Sequence, residues 1–181
     1  KVEANKAEII VVEGNFHGRT TTIISFSTDN ESREGFGPYT PGFKIIKYNN
    51  IGSLKDAITK NTAALLVEPI QGEAGIIIPD IEWLPEVRKI CTENNILLIL
   101  DEIQSGLGRT GKMFAFEHSS IKPDGLILGK ALGGGLLPIS CFLSTSEVMQ
   151  WFVPGSHGST FGGYPLAAAI GKRSLEVIEE E

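Results

Sequence analysis

The chain has 181 residues, of which 41% are hydrophobic and 21% charged, and its formal net charge is −6. This composition is ordinary for one α/β domain that buries a real core. The lysines and arginines form no basic stripe, which argues against nucleic-acid binding. No apolar run approaches the roughly 20 residues needed to cross a bilayer, which argues against a membrane-spanning segment.

The cysteines and the first residues bear on the compartment. Cys91 and Cys141 lie far apart in the sequence, so neither a disulfide framework nor a CxxC metal site is indicated, and a reducing compartment fits. The start has no signal-peptide features and no Met. We therefore expect a cytoplasmic protein, with the mitochondrial matrix as the alternative, and a further N-terminal segment before Lys1.

Short apolar runs alternate with amphipathic stretches along the chain. The predicted strands are residues 9–12, 44–46, 63–67, 96–100 and 125–128. Apolar residues at helical spacing predict helices at 53–60, 83–94 and 166–181. Continuous apolar runs of this length suit strands buried on both faces. The order predicts an α/β fold, a mostly parallel sheet with helices on both faces.

One connection stands out because it is long. Residues 28–42 are rich in turn-forming residues and contain no periodic pattern. We predict a loop there, and long loops in compact domains are often functional.

Polar residues follow three of the predicted strands, namely Glu68, Asp101 and Lys130. Ligands of open parallel sheets bind beyond the carboxyl ends of the strands. Asp101 alone could equally be a helix cap or a magnesium ligand. Lys130 alone could be a solvated charge, but its place after an apolar strand favours a partly buried amine of lowered pKa, suited to Schiff-base formation. Together they suit an aldehyde cofactor whose ring nitrogen pairs with an acid.

Five segments carry a more specific signal and cover nearly the whole chain. They are NFHGRT at 15–20, EPIQGEAG at 68–75, DEIQSGLGRTG at 101–111, GKAL at 129–132 and HGSTFGG at 157–163. Their sequence and order resemble the successive motifs of class III (subgroup II) aminotransferases, which depend on pyridoxal 5′-phosphate (PLP). The resemblance implies the large domain of a fold-type I transferase. Since members of that family are about twice as long, residues 1–181 would be the central part of this domain.

The resemblance implies a cofactor role for seven residues. Lys130 would bind PLP as a Schiff base and then move protons as general base and acid, and Asp101 would pair with the ring nitrogen. Phe16 and Ile103 would cover the two ring faces, although either could be an ordinary core residue. Gln104 would bond the ring hydroxyl. Ser159 and Thr160 would bind the phosphate of the neighbouring subunit of a homodimer, although an ordinary turn would explain them too.

The resemblance also implies substrate contacts. Arg19 would bind a substrate carboxylate, although most lone arginines are surface charges. Glu73 would act as a switch that neutralises a downstream arginine in one half-reaction, and Glu68 would support the substrate side. The GFGPYTPGF segment at 35–43 and Glu73 look most like family members that transfer the δ-amino group of ornithine to 2-oxoglutarate. Members that use acetylornithine or another ω-amino acid are the alternative. For His17 and His157, packing or turn roles are expected rather than catalysis.

Two alternatives lie outside this chemistry. A non-catalytic module is disfavoured, because no fold requirement asks for Lys130, Asp101, Gln104 and Arg19 together. A dinucleotide-binding domain is disfavoured because no G-x-G-x-x-G follows the first strand.

Overall fold

The computed structural model describes residues 2–3 and 5–180. It contains one six-stranded sheet in the order β2-β1-β3-β4-β5-β6. The first five strands of that order run parallel, and the last pairs antiparallel with its neighbour. The strands are β1 (Glu8–Val12), β2 (Phe43–Ile46), β3 (Thr62–Val67), β4 (Leu97–Asp101), β5 (Gly125–Leu128) and β6 (Cys141–Ser144).

The helices occupy the connections between strands and the end of the chain. They are α1 (Thr21–Ile24), α2 (Ile51–Ala57), α3 (Trp83–Glu93), α4 (Ser146–Met149) and α5 (Pro165–Glu180), with 3-10 turns at Ala115–Ser119 and Lys130–Gly133. No helix of the described residues is long and apolar enough to span a membrane.

The predicted elements are confirmed in kind, with shifted ends. All five predicted strands are present, and the predicted helices at 83–94 and 166–181 correspond to α3 and α5; Glu181 itself lies outside the described residues. The helix predicted at 53–60 instead begins at Ile51, because the Asn50 side chain accepts a hydrogen bond from Ser53 N at 2.8 Å and caps it. It ends at Ala57, because Ile58 is extended. Strand β6 was not predicted, and residues 28–42 form no helix or strand, as expected.

The core covers the first strand on both faces. Ile10 and Val12 are fully buried in the main cluster with residues of β3, β4 and α3. Val11 points to the opposite face, since side chains alternate along a strand, and it is also fully buried. On that face Phe26 packs against Phe43 with 4.4 Å between ring centroids. The predicted, mostly parallel α/β architecture is therefore confirmed, and β1 is enclosed as expected.

Asp124 joins three elements where the chain enters β5. Its Oδ2 accepts hydrogen bonds from Leu98 N at 2.7 Å and from Arg88 of α3 at 2.6 Å. Its backbone carbonyl accepts a bond from the Ser144 hydroxyl of β6. Because a carboxylate with a charged donor makes a strong hydrogen bond, this residue fixes the spacing of α3, β4 and β6.

We expect Asp124→Ala to lower the free energy of unfolding by about 2 kcal/mol, because it removes a charged acceptor from both Leu98 N–H and Arg88. Urea unfolding monitored by circular dichroism would measure the loss. The exposed Asp56 provides the control, since Asp56→Ala should shift the midpoint little. Equal midpoints for the two variants would show that the Asp124 side chain does not join α3 to β4.

Candidate active site

Three candidate residues meet at one edge of the sheet because their strands are neighbours. Strands β3, β4 and β5 are adjacent and parallel, with Val67 opposite Leu100 and Asp101 opposite Ile127. Their carboxyl ends therefore lie side by side, and these ends lead directly to Glu68, Asp101 and Lys130. The predicted placement of Asp101 and Lys130 on neighbouring strand ends is confirmed.

Asp101 is held as a buried carboxylate by two donors. The residue is only 5% exposed. Its Oδ2 lies 2.7 Å from His17 Nδ1, and its Oδ1 accepts a bond from Ile103 N at 3.0 Å. A carboxylate only accepts, so His17 Nδ1 carries the proton of this bond. The two bonds fix the orientation of the carboxylate at the end of β4.

His17 is one site residue that the sequence did not indicate, since a packing or turn role is expected for it. Its side chain is 2% exposed, and its Nε2 is buried without a hydrogen-bond partner among the described residues. The position of His17 in the sequence does not indicate this contact, because His17 follows β1, two strands away from β4. Only the sheet order brings its ring to Asp101.

Glu68 is a second buried carboxyl group, 3% exposed. Its oxygens accept bonds from Phe16 N at 3.0 Å and Gly72 N at 3.4 Å. Burial raises the pKa of Glu68, while these two backbone donors and the nearby His17 lower it to a smaller extent. Glu68 thus ties the segment after β1 to the hairpin after β3.

Lys130 begins the 3-10 turn that follows β5, and its backbone is strained. Its φ of 45° lies in the left-handed region, which a residue with a Cβ adopts at a cost. The expectation that the amine is partly buried is wrong for this structure, because Lys130 is exposed beside an open cavity. No ion pair of the described residues includes Lys130.

Ile103 lies next to the backbone that leads into Lys130. A Cβ added at Gly129 would lie 3.4 Å from Ile103 Cγ1, so the Ile103 side chain packs against the backbone immediately before Lys130. The loop after β4 and the loop after β5 are therefore in direct contact.

A cavity of about 440 Å³ opens beside these loops. Lys130, Ile103 and Gln104 line it, together with Ile70, Ile76 and Arg109. Gln104 Nε2 donates to Glu73 Oε1 at 3.0 Å. The predicted Lys130, Ile103 and Gln104 thus share one cavity, and Glu73 contacts its wall.

Glu102 fixes the loop on which Ile103 and Gln104 lie, and this role was not predicted. It is 1% exposed, and its carboxylate accepts bonds from Ala115 N at 2.7 Å and Phe116 N at 2.9 Å. Its own N–H donates to Ile127 O at 2.9 Å, which extends the pairing of β4 with β5. Burial raises the pKa of Glu102 despite these donors.

Phe16 and Arg19 lie together on the segment after β1. Phe16 is half-buried and Arg19 exposed, and the Arg19 guanidinium carbon is 5.6 Å from the Phe16 ring centroid. This is cation–π distance. Phe16 is connected to the strand-end cluster through its N–H bond to Glu68.

Ser159 and Thr160 are not brought into this cluster. Both are exposed, in a turn between α4 and α5, and no hydrogen bond of the described residues links them to the cavity. Large apolar side chains between residues 151 and 166 are also exposed, namely Trp151, Phe152, Val153, Phe161, Tyr164 and Leu166.

Glu68 should make stability depend on pH. Its pKa in the folded protein is raised above the ordinary 4.5, so the folded state binds more protons than the unfolded state between these two values. The free energy of unfolding should therefore fall as pH rises through that interval, and Glu68→Gln should lack this part of the slope. Urea unfolding from pH 4 to pH 8, a range set by the ordinary carboxyl pKa of about 4, would measure it.

The exposed Glu31 gives the matched control, because Glu31→Gln should leave the slope unchanged. If Glu68→Gln kept the full pH dependence of the parent protein, Glu68 would not be protonated more readily in the folded state.

Comparison with known proteins gives one family. The model of the family described as aminotransferase class-III matches residues 1–181. An ornithine aminotransferase of Brevibacillus brevis is 58% identical over the whole chain, which covers 45% of that protein. The structure of the Toxoplasma gondii ornithine aminotransferase, with partial occupancy of PLP at its active site, superposes with a TM-score of 0.97 at 44% identity, covering 99% of this chain and 42% of that one.

An acetylornithine aminotransferase of Elizabethkingia anophelis is similar as well. Its structure has a TM-score of 0.82 at 41% identity, and the match covers 99% of this chain and 41% of the other. The chain thus spans less than half the length of these relatives. The match over all its residues and the shared fold lead to one conclusion: the chain belongs to the class-III aminotransferase family, whose relatives here have the fold-type I architecture.

Proposed function

We propose that the protein containing this chain is an ornithine δ-aminotransferase. It would transfer the δ-amino group of ornithine to 2-oxoglutarate and give glutamate 5-semialdehyde and glutamate. The observation that carries the proposal is the meeting of Glu68, Asp101 and Lys130 at adjacent strand ends. The 58% identity to a relative named ornithine aminotransferase supports the choice of donor.

The residues present fit PLP as the cofactor. Asp101 offers a buried carboxylate. Among the described residues no lysine or arginine forms an ion pair with it, and its side-chain partner is His17. Lys130 has no ion-pair partner and lines a cavity whose wall includes Ile103 and Gln104. Gly72 leaves room for Gln104 to lie against the backbone, and Ile103 lies beside Gly129. A cationic ring nitrogen, an aldehyde and an aromatic face would each find a suitable partner.

The side chains would divide the chemistry among them. Bound PLP would supply an aldehyde and an electron-accepting ring. The Lys130 amine would hold the cofactor and then move the proton at the reacting carbon. Asp101, oriented by His17 and Ile103 N–H, would keep the ring nitrogen protonated. Phe16 and Ile103 would cover the ring faces.

Substrate recognition would use charges on the same edge of the sheet. Arg19, exposed over Phe16, would bind a substrate carboxylate. Glu73 would pair with a cation in one half-reaction and release it in the other. Glu68, buried and bonded to Phe16 N, would hold the segment that carries Arg19.

We further propose that residues 1–181 form the central part of the PLP-binding large domain and that the whole protein is a homodimer. The exposed apolar side chains between residues 151 and 166 form the kind of surface that a subunit partner covers. Ser159 and Thr160 lie in this segment, so in a dimer they would be placed to reach the phosphate bound by the other subunit.

Absorbance spectroscopy of the full-length protein with PLP tests the function. We expect a cofactor band that is shifted from the band of free PLP, and this shifted band should be lost in Lys130→Ala, because it requires the covalent bond to the lysine amine. Ornithine should bleach the band of the parent protein, and 2-oxoglutarate should restore it. Bleaching by acetylornithine alone would assign the protein to the sister activity, and a protein without a Lys130-dependent band would not be an aminotransferase.

His17 offers a second test of the cofactor assignment. His17→Phe removes the donor to Asp101 Oδ2, and we expect it to weaken PLP binding about tenfold, since a hydrogen bond to a charged group contributes about 1.5 kcal/mol. His17→Asn retains an N–H donor and should recover part of this loss. Fluorescence titration of the full-length apoprotein would measure the dissociation constant.

The exposed His118 is the control, and His118→Asn should bind PLP like the parent protein. Unchanged affinity in His17→Phe would mean that the His17–Asp101 bond does not support the cofactor site.

A further inference from the structure

Gln104 lies directly against Gly72. Any other residue in place of this glycine would displace the Gln104 side chain. A Cβ added at Gly72 would be 2.4 Å from Gln104 Oε1, 2.6 Å from its Cδ and 2.9 Å from its Nε2. Real Cβ atoms do not approach this closely, so the whole amide rests on the bare backbone of Gly72. The orientation of the amide is therefore limited on one side.

Gly72 belongs to a tightly bonded hairpin. Its carbonyl accepts bonds from Gly75 N at 3.1 Å and Ile76 N at 3.2 Å. On either side of it, Gln71 and Ile77 exchange backbone bonds at 3.0 and 2.9 Å. Gln71 is 1% exposed, and its amide donates to Glu13 O at 2.8 Å. These bonds thus hold Gly72 and Glu73 in a fixed position beside the sheet edge.

Glu73 limits the amide on the other side. Gln104 Nε2 donates to Glu73 Oε1 at 3.0 Å. Since a carboxylate cannot donate, the nitrogen of the amide must face Glu73 and the oxygen must face away. Gly72 and Glu73 together leave the Gln104 amide one orientation in the cavity that Lys130 lines.

We infer that Glu73 and Gln104 act as one unit, in which the residue that selects between the two substrates also sets the orientation of the amide toward the cofactor. This inference rests on the proposed function, which gives Glu73 the substrate switch and Gln104 the ring hydroxyl. When Glu73 pairs with a cation, its bond to the neutral Gln104 amide weakens and the amide turns. Exchange of substrates is thereby transmitted to the cofactor contact. Gln104 is a positioning residue for substrate discrimination, and Glu73 is one for the cofactor.

A double-mutant cycle on the full-length enzyme tests this coupling. Glu73→Ala, Gln104→Ala and the double variant are compared by the PLP dissociation constant and by the rates of the ornithine and 2-oxoglutarate half-reactions. We expect the change in these constants in the double variant to be about tenfold smaller than the product of the two single changes. This factor corresponds to one hydrogen bond to a charged group. The surface pair Lys55 and Glu86, 3.9 Å apart, gives the control cycle, in which the effects should multiply.

Gly72→Ala provides an independent perturbation in which both Glu73 and Gln104 are retained. Its Cβ should displace the amide, so it should weaken PLP binding and alter the ratio of the two half-reaction rates as Gln104→Ala does. Single effects that multiply, in an enzyme with an intact Lys130-dependent band, would overturn the inference alone. An enzyme without that band would overturn the proposed function and the inference with it.

Discussion

The parallel pairing of β3, β4 and β5 is the constraint on which the rest of the site depends. Backbone hydrogen bonds set Val67 opposite Leu100 and Asp101 opposite Ile127, and the pleat then fixes which side chains enter the core. Parallel strands all end at the same edge of their sheet. Residues far apart in sequence, Glu68, Asp101 and Lys130, therefore meet there without any direct bond between them.

The edge has a rigid layer of buried carboxylates and an exposed layer of side chains that face the cavity. Asp101, Glu68 and Glu102 are each buried and each accept two hydrogen bonds. Such bonds offset the cost of burying a polar group and hold it in one orientation. Lys130 and Glu73, by contrast, are exposed. The three carboxylates are thus held in place, whereas Lys130 and Glu73 remain accessible to other partners.

Strain and close packing both occur at this edge. Lys130 has a left-handed backbone, Gly129 contacts Ile103, and Gly72 contacts Gln104. At each glycine a side chain from the loop after β4 lies against a neighbouring loop. The loops after β3, β4 and β5 consequently form one surface, so a displacement of one loop changes its contacts with the next. This continuity is the physical basis for coupling Glu73 to Gln104.

Much of this architecture could be predicted from local patterns. Apolar runs of strand length, helical periodicity and the motifs around Asp101 and Lys130 are properties of contiguous residues, so the five parallel strands, the helices α3 and α5 and the three strand-end residues follow from the sequence by itself. Only the tertiary structure decided the rest, because the remaining contacts depend on the order of the strands and on where the loops lie relative to one another. The sheet order brings His17 to Asp101, the approach of residues 115 and 116 explains Glu102, and the hairpin at 71–77 sets Glu73 against Gln104. Such contacts join residues separated by 13 to 84 positions, and no local spacing encodes a distance across the sheet edge.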